Sequence, residues 1–227
     1  MTVTWLGNAS VVLESGGQRL YFDPFFPLGT AEDVFITHGH YDHLYYVPQM
    51  RGCRVRCTKT PAERVDGATV IRVGDVERVG AFEVRVLRGR HTRFGARLIL
   101  STALRVLKTP SKVPFFAKVI REFPENDETV MFDVRAEDKR VVVMGSLALD
   151  ADTVYETGAD CLILPYQGYS DNLAAALPIV RRLAPKMVIL DHFDDAFPPV
   201  SQEIDVEPFL SAVECAVKPV MGVAITI

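Results

Sequence analysis

Cysteine is too scarce in this sequence to build a disulfide framework. Four thiols, Cys53, Cys57, Cys161 and Cys215, are spread over 227 residues, whereas disulfide-stapled folds are short and cysteine-dense. Reduced, partly buried thiols are expected instead. The Cys53–Cys57 spacing invites a zinc-ligand reading, but Arg54-Val55-Arg56 alternates like a strand and no second Cys/His pair follows nearby, so it is set aside. Long apolar runs are missing too. Nowhere are there about 18 uninterrupted apolar residues for a membrane span, and MTVTWLGNASVVLE at the start has no cationic segment leading into a continuous apolar stretch. The expectation is a cytoplasmic protein without a membrane partner. Positive charge is not in excess either: a net charge of −4 gives no large basic field to attract a nucleic-acid backbone or an anionic membrane.

What is present is apolar content of 48% against 24% charged residues, enough for a sizeable core in one α/β domain spanning residues 1–227. The first part reads as short strands over Val3–Leu6, Ser10–Glu14, Arg19–Phe22 and Val34–Thr37, with Gly16-Gly17 as a hairpin signal. Further strands are expected at Arg54–Thr58, Thr69–Val73, Phe82–Leu87, Leu98–Ser101, Thr129–Val134 and Arg140–Met144, the last two joined by a turn at Glu137-Asp138. Beyond Met144 the pattern changes. A short helix is expected over Asp152–Thr157, a buried strand over Cys161–Leu164 and a helix over Asp171–Leu183 ended by Pro185. A strand over Lys186–Leu190, a helix over Asp205–Cys215 and a last strand over Val220–Ile227 follow. The irregular stretch Pro110–Asp127 marks 105–128 as a candidate lid, in which Phe115, Phe116, Val119, Ile120 and Phe123 recur at near-helical spacing.

The chemistry is concentrated in Thr37-His38-Gly39-His40-Tyr41-Asp42-His43, directly after the apolar strand Val34–Ile36. Three imidazoles and a carboxylate at one strand end are ligands that suit zinc, manganese or iron, and strand ends are where such sheets place their sites. With only five histidines in the chain, chance spacing of this kind has odds on the order of one in ten thousand. The remaining two, His91 in Arg88-Gly89-Arg90-His91-Thr92 and His192 in Leu190-Asp191-His192-Phe193, each follow an expected strand.

This pattern resembles the metallo-β-lactamase superfamily, whose hallmark is a His-x-His-x-Asp-His loop followed by two later histidines on separate strand-end loops. The resemblance implies an αββα sandwich of two mixed β-sheets flanked by helices. It also implies a first metal held by His38, His40 and His91 and a second by Asp42, His43 and His192. Trp5-Leu6-Gly7, Phe22-Asp23-Pro24 and the stretch from Ala184 to Phe193 are most similar to the branch that contains the L-ascorbate-6-phosphate lactonases. In that likeness Asp23 orients a ligand histidine. Two positions depart from the pattern. Most dinuclear members have Gly-Asp where this chain has Gly145-Ser146, and a serine hydroxyl brings no charge to balance two dications, although one β-lactamase subclass manages without that carboxylate. Asp150 is either a reach-in substitute or a loop cap. The lactonase-like branch commonly has histidine where this chain has Asn8.

The expectation is a metal-dependent hydrolase carrying one or two ions, zinc first with Mn²⁺ or Fe²⁺ as alternatives. A bound ion would lower the pKa of water toward about 7 for attack on an ester, lactone or phosphodiester of a small molecule, with Asp42 as the orienting catalytic residue. Tyr169, in Pro165-Tyr166-Gln167-Gly168-Tyr169-Ser170, is expected to line the cleft, and Arg88, Arg90 and Arg93 beside His91 fit an anionic substrate. Alternatives are a catalytically degenerate metal-binding or interaction protein of the same fold, and a di-iron oxidoreductase, whose pattern has a carboxylate at the place of His40. A homo-oligomer is compatible with the sequence.

Overall fold

The computed structural model describes all residues except 28–32, 124–127, 197 and 200, so the part of the candidate lid at 124–127 lies outside the described residues. Two seven-stranded mixed sheets face each other. The first contains β1 (Thr2–Gly7), β2 (Ser10–Ser15), β3 (Gln18–Phe22), β4 (Asp33–Phe35), β5 (Arg54–Cys57), β6 (Thr69–Val70) and β14 (Ala224–Thr226), in the order β14-β1-β2-β3-β4-β5-β6. The second contains β7 (Val76–Val79), β8 (Phe82–Arg88), β9 (Val130–Ala136), β10 (Lys139–Val143), β11 (Cys161–Pro165), β12 (Val188–Asp191) and β13 (Ala216–Val217), in the order β13-β12-β11-β10-β9-β8-β7. β14-β1-β2-β3 and β7-β8-β9-β10 pair antiparallel, while β3 through β6 run parallel in one sheet and β10 through β13 in the other. The Gly16-Gly17 and Glu137-Asp138 turns both take positive φ, as tight hairpins require.

Alternation along β1, whose residues are half-buried and buried in turn, sends Val3 and Trp5 inward to meet the other sheet. Phe22, Phe35 and Phe132 form the centre of the inter-sheet layer, with ring centroids 5.3–5.6 Å apart. The outer faces are covered separately. Val34, Ile36, Val55 and Cys57 pack under Leu44, Val47 and Val65, around the one-turn helices α1 (Tyr41–Leu44) and α2 (Lys59–Ala62). Ala176, Ile179 and Leu183 of the helix Asn172–Leu183 cover the second sheet. That is the αββα sandwich.

Two expectations fail. Leu98–Ser101 is part of a helix, α3 (Ala96–Leu107), and not a strand. A short apolar run fits either period, and the flanking Arg97 and Arg105 with Ala96 and Ala103 favour the helix. Asp152–Thr157 is irregular and not a helix. Its carbonyl groups are taken by Arg182 and Arg140, which accept no competition from a helical ladder: Thr153 O receives Arg182, and Glu156 O and Thr157 O receive Arg140. The helix α4 (Val113–Glu122) matches the near-helical spacing, Asn172–Leu183 becomes α5 with Asp171 capping the N–H of Ala174 at 2.9 Å, and α6 (Glu207–Ala212) is shorter than expected. The strand pairs also include β7 and β13, which the sequence pattern did not single out.

Candidate metal centre

The strand β4 ends under Phe35, and the next residue but one, Thr37, crosses to the second sheet: its carbonyl accepts the N–H of Val130 at 2.9 Å. The His-rich loop therefore starts at the seam between the sheets. One turn of helix then brings His43 back toward His38, whose rings lie 3.9 Å apart. His91 enters from the loop after β8 and His192 from the end of β12.

Two triads result. His38, His40 and His91 form one, and Asp42, His43 and His192 the other, with the donor atoms in each within 4.8 Å of one another. All six residues expected as ligands are thus brought together. Asp150 is not: its carboxylate accepts from Thr153 Oγ1 at 2.7 Å and caps a turn.

The imidazole orientations are set from behind. Asp23, buried and held at φ 45°, accepts the Thr37 N–H at 2.8 Å and the Thr37 hydroxyl at 2.6 Å, and its Oδ2 lies 2.9 Å from His43 Nδ1. With the Thr37 proton given to Asp23, the hydroxyl lone pair faces His38 Nδ1 at 3.0 Å and takes a proton from it. His38 then exposes a bare Nε2, which is buried and has no hydrogen-bond partner. In the same way His91 gives its Nδ1 proton to the Thr92 carbonyl at 2.8 Å. Each of these rings turns an unprotonated nitrogen toward the centre, the state a metal ligand needs.

Electrostatics divides the two triads. Burial, reinforced by its histidine neighbours, pushes His38 well below the ordinary imidazole range and His40 down to about 4. Burial also opposes a charge on His192, but Asp191, Asp42 and Asp23 outweigh it and raise His192 to about 9. Its Nε2 faces His43 Nε2 at 3.2 Å. Two imidazole nitrogens facing each other at this distance need a proton or a cation between them, since two lone pairs would repel. A proton there stands where the donor set would accept a cation of higher charge. Asp42, 3.7 Å from His43 and 3.9 Å from His192, is held below the ordinary carboxylate range by these histidines against the effect of burial. An orphaned buried nitrogen in one triad and two facing Nε2 atoms among carboxylates in the other both fit metal ions.

The remaining expected site residues support the frame. Asn8, at φ 44°, accepts the His192 N–H through its carbonyl at 3.0 Å, while its own N–H is bound by Asp194 at 3.0 and 3.1 Å. Ser146 accepts the N–H of Thr92 at 3.0 Å and so fixes the loop that carries His91. Tyr169 lines a cavity that also touches His91, Arg90 and Arg93. Thr37, Thr92 and Gly145 are functional positions that the sequence did not mark. A side chain on Gly145 would overlap that of Thr37, and no feature of Thr or Gly by itself carries that information.

A search of curated proteins found no match. Among solved structures, the chain is similar to a metallo hydrolase from the hyperthermophilic archaeon Ignicoccus hospitalis, at 16% identity and a TM-score of 0.69 over 100% of this chain and 98% of that one. An isothiocyanate hydrolase from Delia radicum gut bacteria aligns at 14% identity and 0.63 over 100% and 99%, and CmlA, a diiron β-hydroxylase from Streptomyces venezuelae, at 14% and 0.61 over 94% and 49%. At such identities the likeness is one of fold. A family model described as the beta-lactamase superfamily domain matches residues 2–192, which takes in every histidine of the site, and the chain belongs to that family.

Proposed function

We propose that this protein is a metal-dependent hydrolase acting on an ester, lactone or phosphodiester bond of a small molecule, with His38, His40 and His91 holding one ion and Asp42, His43 and His192 a second. The observation that carries the reading is the pair of converging triads, one with a bare, partnerless His38 Nε2 and the other with two Nε2 atoms 3.2 Å apart. A bound ion supplies Lewis acidity and a water whose pKa is lowered toward about 7. The protein supplies the rest. Asp23 and Thr37 fix the tautomers of His38 and His43, Asp42 offers the carboxylate that orients an attacking water, and Ser146 holds the His91 loop in place. Helix α4 and its end flank the loop on its other side, with Phe115 and Phe123 edge-on to Tyr41 at 5.5 Å, a contact that supports reading this segment as a lid over His40 and Asp42. Zinc is the proposed ion, since imidazole and carboxylate suit it well.

The test is elemental analysis of metal-depleted protein reloaded with zinc, manganese or iron, run beside His38→Ala and with ester, lactone and phosphodiester probes. Two ions per chain with metal-dependent hydrolysis, and loss of both turnover and one ion in His38→Ala, is the expected result. Equal metal content in wild type and variant would overturn it. Iron loading with oxygen-dependent turnover would replace hydrolysis by oxidative chemistry of the kind named for the diiron neighbour.

A further inference from the structure

Beside the first triad lies a cavity of about 460 Å³, within the range of about 300–1,000 Å³ usual for small-molecule sites. Its walls come from four places: the loop after β8, the loop after β10, the loop after β11 and one face of α5, where Ala175, Pro178, Ile179 and Arg182 follow one another at helical spacing. Leu147 and Ile179 make the wall apolar and Tyr169 adds an aromatic face. His91 lines the same space. The polarity is one-sided: three arginines, Arg90, Arg93 and Arg182, reach the cavity, and among the described residues no carboxylate does.

These arginines are not equivalent. Arg182 is committed, donating to the carbonyl oxygens of Asp150 at 3.0 Å and of Ala151 and Thr153, and lying 5.1 Å over the Tyr155 ring. It is a fixed positive charge. Arg90, half-buried, and Arg93, exposed, make no ion pair or hydrogen bond with any described residue. Elsewhere the chain pairs its half-buried guanidinium groups: Arg56 with Asp33 and Glu77, Arg140 with Asp133. Two uncommitted guanidinium groups lining a largely apolar cavity that also touches a candidate metal ligand form an arrangement suited to an anion.

We propose that this cavity is the substrate-recognition site and that the substrate carries an oxyanion, a carboxylate or a phosphate, held by Arg90 and Arg93, with an apolar body against Leu147, Ile179 and Tyr169. Guanidinium forks bind either oxyanion through two parallel N–H···O bonds. The inference rests on the hydrolase reading for its assignment as substrate site, but anion binding itself is measurable without turnover.

The experiment measures binding of three ligands to the zinc-loaded full chain by ¹⁹F NMR: (4-fluorobenzyl)phosphonate, 4-fluorophenylacetate and 4-fluorobenzyl alcohol. At least one anion is expected to bind about tenfold or more tightly than the alcohol, and the two anion arms identify which oxyanion is preferred. In R90A/R93A that preference should vanish with zinc content unchanged. In R90K/R93K, which keeps the charge and loses the fork, it should be reduced but present. Equal binding of all three ligands by the wild type would overturn the proposal, as would an anion preference that survives in R90A/R93A. Absence of hydrolysis together with an arginine-dependent anion preference would instead count against the hydrolase reading and leave the binding site standing.

Discussion

The two triads are built from the same ligand chemistry yet stand on different electrostatic ground. In the first, burial keeps His38 and His40 uncharged, and the Nδ1 atoms of His38 and His91 are tied to a hydroxyl and a carbonyl oxygen. The second, Asp42, His43 and His192, lies among carboxylates that hold a proton on His192 up to about pH 9. The first is a ready set of lone pairs, and the second must release a proton before it can accept an ion. Asp23 is common to both, through Thr37 to His38 and directly to His43.

That shared residue gives the largest expected effect. Asp23→Ala should erase the contrast by weakening both ions together, by about 10–100-fold each as is usual when a ligand's supporting carboxylate is lost, and should leave the buried Thr37 N–H unpaired at a cost of about 1–3 kcal/mol. Zinc competition against a chromophoric chelator and a thermal melt would read the two effects. If only one ion weakened, Asp23 would not be the common support.

Changing pH should sharpen the contrast. Because His192 must lose a proton to bind, affinity for the second ion should rise about tenfold per pH unit from 7 until about 9 and then level off, while the first ion's affinity stays flat over that range. In the metal-free chain the sign reverses: a His192 pKa raised above its ordinary 6.5 stabilises the fold fully below 6.5, and that contribution is lost as pH rises through about 9. His40, lowered to about 4, stabilises above 6.5 and the contribution is lost as pH falls toward 4. Calorimetric zinc titrations and melts across this range would show parallel behaviour of both ions if the division is wrong.

Thr37→Val removes the hydroxyl between Asp23 and His38 while keeping the shape that packs on Gly145. The expected result is about a tenfold loss at the first ion and less at the second, because His43 keeps its direct contact with Asp23. The smallest effect should come from Ser146→Ala. It deletes one hydrogen bond to the His91 loop, worth about 1 kcal/mol, and should loosen the first ion alone by less than tenfold in the same chelator assay.

Much of this arrangement was legible in the sequence. The six candidate ligands announced themselves because histidine is rare in this chain and clustered at the ends of apolar strands, and Asp23 through the likeness of Phe22-Asp23-Pro24 to the lactonase-containing branch. Thr37 did not, since a threonine at a strand end says nothing of where its hydroxyl proton goes. The cavity was only partly visible: the arginines around His91 pointed to an anion, but Arg182 and Ile179 join them from a helix some ninety positions on, and only the packing of α5 brings them there. Leu98–Ser101 misled because four residues cannot separate a period of 2 from one of 3.6. Asp152–Thr157 misled because its backbone partners are side chains from distant strands and helices.

The hydrogen bonds of Asn8 tie an early turn of the chain to its last ligand loop. Its N–H is held by Asp194, 186 positions along the chain, and its carbonyl holds His192. The first triad draws its ligands from residues 38 to 91, with Val130 and Ser146 bracing Thr37 and the His91 loop. The second also needs His192 at the end of β12, far along the chain, with the Asn8 turn gripping its loop. That separation gives the second triad the larger loop-closure entropy to overcome, so a change that loosens β12 or the Asn8 turn should be felt there before it is felt at the first.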